Sequence, residues 1–446
     1  MRSSPLTSSI HILDDDSLLN IFYLYRPFLL GEDDGIEDSR LIEGTGRWER
    51  GRWWYKLAHV CRRWRNVLLG STAYLGISLV CTNGTPVADM LAHSPPLPLV
   101  IEYTIRGDND FTAEDEEGAI LALKQYDRVH CIRLDMPPTS LQKFITTMDE
   151  EYSILEYLII CHPVKDWTTI LTFPETLQAP HLRHLLLYSF TLPIGFRLLT
   201  TSVILVTLCL FMVNPSTYSH PNTLLQWLSF MPQLETLFMS FEFADRSRHV
   251  GGQFTHTAIT TPATLPNLRY FRFYGFTAYL EALLYRISAP RIETVRITFF
   301  NQLTFSIPRL LHFVDATENL RFKTARLEFS DKNVDVKVYP HEEADMYALR
   351  IIVNCCHLDW QVSSAAQIFN ALSPVFSAVE HLTFEHREHS RSSEEHNEID
   401  RTKWRKLLSL FRNVKALRIA KGLVEELTRC LESDNGEPPL EVLPEL

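Results

Sequence analysis

The residues best suited to chemistry gather in "HLTFEHREHSRSSEEHNE" (381–398), where four histidines stand among acidic groups. Imidazoles and carboxylates can hold a transition metal, but a stable site needs a fixed helical or Cys-paired spacing, and neither is present. The stretch reads as a solvated charged loop. Cys355-Cys356-His357 sets two thiols beside an imidazole, yet it follows an apolar run and reads as the end of a buried strand. "GEDDG" (31–35) lacks the spaced ligands and closing Glu of a calcium loop. "GTGRWE" (44–49) fails at the third glycine of a dinucleotide turn. No GxSxG elbow, HExxH pair or phosphate loop occurs, and 16 glycines in 446 residues provide poorly for close backbone approach to a phosphate. The expectation is a non-enzyme with no catalytic residue, metal or cofactor, whose work is binding.

The elements that would position a binding surface are set by composition and period. The chain is 46% hydrophobic and 22% charged, enough apolar material for a large core or two domains. Its net charge of -11 gives no general electrostatic reason to expect nucleic acid. The eight cysteines, at 61, 81, 131, 161, 209, 355, 356 and 430, form no CxxC pair or regular framework. They suit a reduced, cytoplasmic or nuclear setting. No secretory signal is legible at the start, and the apolar run 198–213 carries Ser and Thr and falls short of a membrane span. It reads as a buried strand with its flanks, and no membrane partner is expected.

Two N-terminal segments are helical. Asp14, Asp15 and Asp16 precede "SLLNIFYLY" (17–25), where acidic groups cap a helix start and meet the positive end of its dipole. That helix is apolar nearly all round, so something must cover more than one of its sides. In "KLAHVCRRWRNVLLGS" (56–71), Leu57, Val60, Cys61, Trp64, Val67 and Leu68 recur at three and four residues, which places them on one helical face. Residues 47–66 carry seven Lys or Arg against the single Glu49, with tryptophans at 48, 53, 54 and 64. A single-strand binder interleaves aromatics and cations in this way. The Trp64 row is nevertheless spaced for packing, and Arg at an interface rim is common.

"LDDDSLLNIF" (13–22) followed by "WWYKLAHVCRRWRNV" (53–67) resembles an F-box, the helical module that docks on the Skp-type adaptor of cullin-RING ubiquitin ligases. Leu13, Leu18, Ile21, Phe22, Val60, Cys61, Arg62 and Trp64 match the family pattern. Asp14 stands where the family has a proline, and an insertion at about 27–50, rich in glycine and acid, separates the halves. The resemblance implies a module over 8–72 whose adaptor-binding surface is formed or supported by Leu13, Leu18, Ile21, Phe22, Leu57, Val60, Cys61, Arg62 and Trp64. It implies a Skp-type adaptor, and through it a cullin, as partners. An acidic partner would explain the basic strip by electrostatic steering.

From about residue 80 an apolar-x-x-apolar-x-apolar string recurs, beginning at Val129, Leu155, Leu182, Leu205, Leu234, Leu268, Ile292, Val379 and Val414. Weaker copies begin at Thr324 and Ala348, and successive starts lie 23 to 35 residues apart. Four copies share a proline: "APHL" (179–182), "MPQL" (231–234), "LPNL" (265–268) and "APRI" (289–292). Proline there ends a helix and forces an extended entry. Amphipathic stretches lie between, among them 141–148, 222–230, 276–287, 307–314, 366–372 and 401–411. One strand plus one helix per unit is similar to an irregular leucine-rich repeat, so the expected fold is α/β: the helical module, then a curved solenoid of parallel strands and helices over 80–446. An ordinary parallel α/β sheet is the rival fold. "PPLEVLPEL" (438–446) looks like the start of another repeat.

Within such strands the alternate residues face the concave side. They are His184, Leu186 and Tyr188; Thr236, Phe238 and Ser240; Tyr270, Arg272 and Tyr274; Thr294, Arg296 and Thr298; Arg326 and Glu328; His381, Thr383 and Glu385. Tyr and Arg dominate binding hot spots, so Tyr270, Arg272, Tyr274 and Arg296 are the expected target contacts. The F-box and repeat architecture together imply the substrate-recognition subunit of a Skp-cullin-F-box type ubiquitin ligase, binding an unknown protein substrate. The alternative is an adaptor-independent repeat scaffold whose N-terminal helices cap the solenoid.

Overall fold

The computed structural model describes residues 13–25, 53–105, 111–162, 171–192, 195–213, 220–241, 261–300, 305–317, 320, 322–355, 357–386, 401–420, 423–424 and 427–428. The insertion at 27–50, with "GEDDG" and "GTGRWE", Cys356, the histidine-rich stretch from 387 and the terminal 438–446 lie outside them. The chain divides into two compact units, residues 1–166 with 176–179, and residues 167–175 with 180–446. Both are mixed α/β, each built on a mostly parallel sheet, and neither sheet closes into a barrel. Among the described residues no helix is long and apolar enough to cross a membrane.

Among the described residues the first unit opens with four short helices: α1 (Asp15–Tyr25), α2 (Trp53–Ala58), α3 (Arg62–Gly70) and α4 (Thr72–Leu75). As expected, acid starts α1: the Asp14 carboxylate accepts the Ser17 N–H at 2.7 Å. The single helix expected over 56–71 is instead two. Cys61 is fully extended, with φ −160 and ψ 170, and its Sγ accepts the Trp64 N–H at 3.5 Å to cap α3. An extended residue cannot sit inside a helix, so the three-and-four spacing spans a corner rather than one face.

Strands β1 (Leu79–Cys81), β2 (Leu99–Thr104), β3 (Val129–Asp135) and β4 (Tyr157–Cys161) then pair in parallel, in chain order. Helices α5 (Val87–His93), α6 (Ala113–Leu123) and α7 (Pro138–Thr147) connect them. A capping box starts α6, where Thr112 and Asp115 exchange hydrogen bonds and Asp115 also accepts the Gly84 N–H at 2.6 Å.

The second unit continues the strand–helix rhythm. Its main elements are β5 (His184–Tyr188), α8 (Arg197–Thr201), β6 (Thr207–Val213), α9 (Pro221–Ser229), β7 (Thr236–Phe241), β8 (Tyr270–Gly275), α10 (Thr277–Leu284) and β9 (Thr294–Phe299). They continue with α11 (Pro308–Asp315), β10 (Thr324–Phe329), β11 (Asn333–Tyr339), β12 (Leu349–Asn354), α12 (Leu358–Ala371), α13 (Ser373–Phe376), β13 (His381–His386), α14 (Arg401–Leu408) and β14 (Ala416–Ile419). The run 198–213 is thus most of α8 followed by β6, rather than a strand alone.

Eight of the nine strong copies of the sequence string begin at the turn before a strand, and the ninth begins at Val129, the first residue of β3. In six of them the first apolar residue donates its N–H three residues back: Leu155 to Tyr152, Leu205 to Ser202, Leu234 to Met231, Leu268 to Leu265, Ile292 to Ala289 and Val379 to Phe376, at 3.1 to 3.5 Å. Pro232, Pro266 and Pro290 occupy the second position of that turn, where a fixed φ is favourable. Proline therefore shapes a β-turn, and the extended entry begins two residues later than expected. The turn also drops a fully buried Leu or Ile into the core at Leu205, Leu234, Leu268 and Ile292.

Parallel succession breaks once. Spatial order runs β5-β6-β7-β8-β9-β12-β11-β10-β13-β14, with β11 antiparallel to both neighbours. The weak copies at Thr324 and Ala348 do begin strands, but β12, not β10, lies beside β9. The cause is local: Ser330 Oγ accepts the N–H groups of Lys332 and Asn333 and closes a tight hairpin. "NVDVKVY" then alternates with period two and buries Val334, Val336 and Val338 completely.

Candidate functional site

Two surfaces carry the residues singled out by sequence, one in each unit. In the first, α1 packs on α3 through Leu18 and Phe22, both fully buried, with the Phe22 and Trp64 rings edge to face at 5.0 Å. Arg63 fastens the pair: its guanidinium bonds Asp15 Oδ1 at 2.8 Å and the Leu13 carbonyl at 2.5 Å. Trp54 donates from Nε1 to the Ser78 carbonyl at 3.2 Å and ties α2 to the entry of β1. Arg65 holds the corner by donating to the Ala58 carbonyl at 3.0 Å.

That packing sorts the nine sequence candidates. Leu18 and Phe22 are internal and can only support a surface. Leu13, Leu57, Cys61 and Trp64 are half-buried, while Ile21, Val60 and Arg62 are exposed. The helix start was legible from spacing, whereas the Trp64–Phe22 contact joins two segments that no local spacing relates. The exposed apolar side of α1 extends further than the candidates: Leu24 is 76% exposed, Ile21 44% and Val60 57%. Tyr23 and Tyr25 are also exposed, their rings beside Tyr74 and Trp53. Leu24 follows Ile21 by three residues, so the helical period itself was the signal for it.

In the second unit the aromatic contacts show which face of the sheet meets helices. Phe241 and Phe273 lie against Tyr279 of α10, Phe271 against Phe313 of α11, and Phe329 and Phe384 against Trp404 of α14. Gly275 ends β8 on this face, and a Cβ there would stand 2.6 Å from the Phe241 ring. The opposite parity faces away from these helices. There Arg272 is directly opposite Arg296, which is directly opposite Arg350, so three arginines stand in one row across β8, β9 and β12. Lys337 and Arg326 continue the row on β11 and β10.

The four expected target contacts are brought together and all are half-buried: Tyr270, Arg272 and Tyr274 alternate on β8, with Arg296 beside Arg272. The Arg272 guanidinium lies over the Phe238 ring at 4.6 Å, and the Tyr274 hydroxyl accepts from Asn354 at 3.2 Å. Arg350, missed because its repeat copy is weak, occupies the place after Leu349 that Arg272 holds after Phe271.

Several other expected face residues are closed off. Leu186, Thr236, Phe238, Ser240, Thr298 and Glu328 are buried, so they cannot meet a partner directly. Cross-strand packing accounts for the centre of this group: Phe211 and Phe238 meet edge to face at 4.3 Å under the Arg272 guanidinium. At the β10–β12 end the charges neutralise one another. Arg350 bonds Asp335 at 2.7 Å, Lys337 lies 2.9 Å from Glu328 and 3.3 Å from Asp335, and Arg326 lies 3.4 Å from Glu385. Burial works against the Arg350 charge, and the Asp335 carboxylate outweighs it, so the guanidinium pKa is raised and the group stays ionised.

Among the described residues no cluster of His, Cys, Asp or Glu is arranged to hold a metal ion. No protein-family model matches the chain, and no curated protein matches it significantly.

Proposed function

We propose that this chain is the substrate-recognition subunit of a Skp-cullin-F-box type ubiquitin ligase. The N-terminal helices, which resemble an F-box, dock on a Skp-type adaptor, and the irregular leucine-rich-repeat-like second unit holds a protein target. The observation that carries this reading is the exposed apolar side of α1, with Ile21 and Leu24 one turn apart and Val60 exposed at the α2–α3 corner. A water-facing helix normally presents polar groups there, and exposed Ile, Leu and Tyr in one place mark an interaction surface. Arg62 at the start of α3 adds a rim cation suited to an acidic partner. The chain would contribute no bond chemistry. Holding target lysines near a conjugating enzyme raises their effective concentration.

The scaffold alternative makes the same helices an internal cap. A cap buries its apolar residues on its own chain, as Leu18 and Phe22 do and Leu24 does not. The test is co-expression with a Skp-type adaptor, read by size-exclusion chromatography with light scattering. A one-to-one complex is expected. Ile21→Asp with Leu24→Asp should weaken it at least about 30-fold while changing stability little, because both sites face water. A monomer that ignores the adaptor would favour the cap.

A further inference from the structure

We infer that strand β14, the open edge of the second unit's sheet, is a docking site for an extended acidic and apolar segment of another protein, which adds there as a parallel strand. The inference names a class of target for the unit proposed above to hold one, and rests on that reading.

Among the described residues β14 is the last strand of its sheet, paired with β13 on one side only. Ala416 and Ala420 donate their N–H groups to the Glu380 and Phe384 carbonyls, so by the period of two Leu417 and Ile419 turn theirs outward. Their side chains show the same incompleteness. Leu382 and Phe384, directly opposite on β13, are 0% exposed, whereas Leu417 and Ile419 are only half-buried. One more strand would cover both, and an open edge is a template for one.

The preceding junctions specify what that strand carries. In six neighbouring pairs of strands one carbonyl accepts two successive N–H groups at the entry of the next strand: Arg183, Val206, Glu235, Arg269, Lys323 and Glu380 are the acceptors, at 2.8 to 3.2 Å. The Lys415 carbonyl is next in line. Side-chain charge alternates along the same row, as Glu235, Arg269 and Glu293 across β7 to β9, and as Lys323, Glu380 and Lys415 across β10, β13 and β14. Arg269 bonds Glu293 at 2.9 and 3.0 Å, and Lys415 lies 3.3 Å from Glu380. A carboxylate therefore belongs beside Lys415 on the incoming strand, with apolar residues two and four positions later against Leu417 and Ile419. Residues 401–421 hold eight Lys or Arg and no Asp or Glu in a chain of net charge -11, which suits an acidic partner. The same charges disfavour a second copy, because pairing two β14 edges brings like charges together.

The probe is a fluorescein-labelled nonapeptide, Pro-Ser-Leu-Glu-Thr-Leu-Glu-Ile-Thr, titrated with the full chain by fluorescence anisotropy. It should bind, and a form with Gln for both Glu should bind at least about tenfold more weakly. So should a form N-methylated at the first Glu and first Thr, which keeps the charge and loses the two donors meant for the Lys415 carbonyl. Lys415→Glu should weaken the Glu peptide at least about tenfold and accept a peptide with Lys for the first Glu, whereas Arg291→Glu, the same charge change beside β9, should alter binding less than about twofold. Hydrogen exchange over residues 416–420, read by mass spectrometry, should slow when peptide is added. No binding, equal binding of the Gln or N-methylated form, undiminished binding by Lys415→Glu, or unchanged exchange would each overturn the inference. The last would mean that the edge is already filled, from within the chain or by a second copy. Adaptor binding measured on the same preparation separates the failures: a complex without peptide binding sinks only the edge site, and peptide binding without a complex sinks only the ligase reading.

Discussion

On the face away from the helices, the first unit's sheet carries the row Val80, Val100, Cys131 and Tyr157, in register across four strands and packed into a small apolar cluster. The second unit's sheet carries Arg272, Arg296 and Arg350 in the same relation across three. The strands that carry these two rows are parallel and have helices on the other side, so the backbone plan does not distinguish the rows. Where charge enters the first sheet it is matched: Glu102 and Arg133 are directly opposite, 3.7 Å apart and both buried. In the second sheet Arg350 is matched by Asp335 at 2.7 Å and Lys337 by Glu328 at 2.9 Å. A repeated backbone thus yields a sealed face or a cationic one according to which residue fills a single strand position.

The comparison can be strained most by removing a central carboxylate. Asp335→Ala removes the carboxylate that Arg350 bonds and leaves Lys337 with Glu328 alone, and should cost about 3–5 kcal/mol, against about 2–3 kcal/mol for Glu102→Gln, whose ion pair with Arg133 is longer. Urea denaturation of both variants checks the order, and equal losses would mean the two charged clusters are equivalent. Next, Gly275→Ala asks whether the helix side of the second sheet is as tightly filled as its charged side. The added methyl meets Phe241, so a loss of about 1–3 kcal/mol is expected, seen as a lowered Tm. No loss would show that the aromatic layer yields.

The smallest effect contrasts two carboxyl groups that each accept backbone N–H groups from another segment. Burial raises the Asp115 carboxyl, but the Thr112 and Gly84 N–H bonds outweigh it and hold the pKa below 3.8. Its contribution to stability is present above that value and is lost as pH falls through the lower folded pKa. Glu281 accepts from Arg309 and Leu310 at 2.8 and 3.0 Å, yet burial wins and its pKa lies above 4.5. Its contribution is in place below 4.5 and is lost as pH rises through the raised folded value. The Tm difference between native chain and Asp115→Asn should therefore shrink toward acid, and that for Glu281→Gln should shrink toward neutrality, each by about 1–3 °C.

Much of the strand rhythm was legible because one string, apolar-x-x-apolar-x-apolar, encodes both the turn and the buried side of the strand. It failed where the code changed. β1 and β2 lack the string, and β11 alternates strictly, so a search for the repeat passed over "NVDVKVY". The helical corner at Cys61 was hidden because three-and-four spacing survives a break between two short helices. At the surfaces, residue type pointed to Tyr270, Arg272, Tyr274 and Arg296, and the structure sets them side by side. Type alone could not show that Phe238 and Leu186 are covered, or that Arg350 completes the row.

The sequence by itself determined the α/β alternation, the turns that start the strands, the acid-capped first helix and its surplus of apolar residues, since all depend on residues a few positions apart. The tertiary structure alone decided that Leu24 is exposed while Phe22 is buried, that β12 lies beside β9, and that three arginines share one row. Those outcomes depend on register between segments as far apart as Arg272 and Arg350, and no local spacing encodes them.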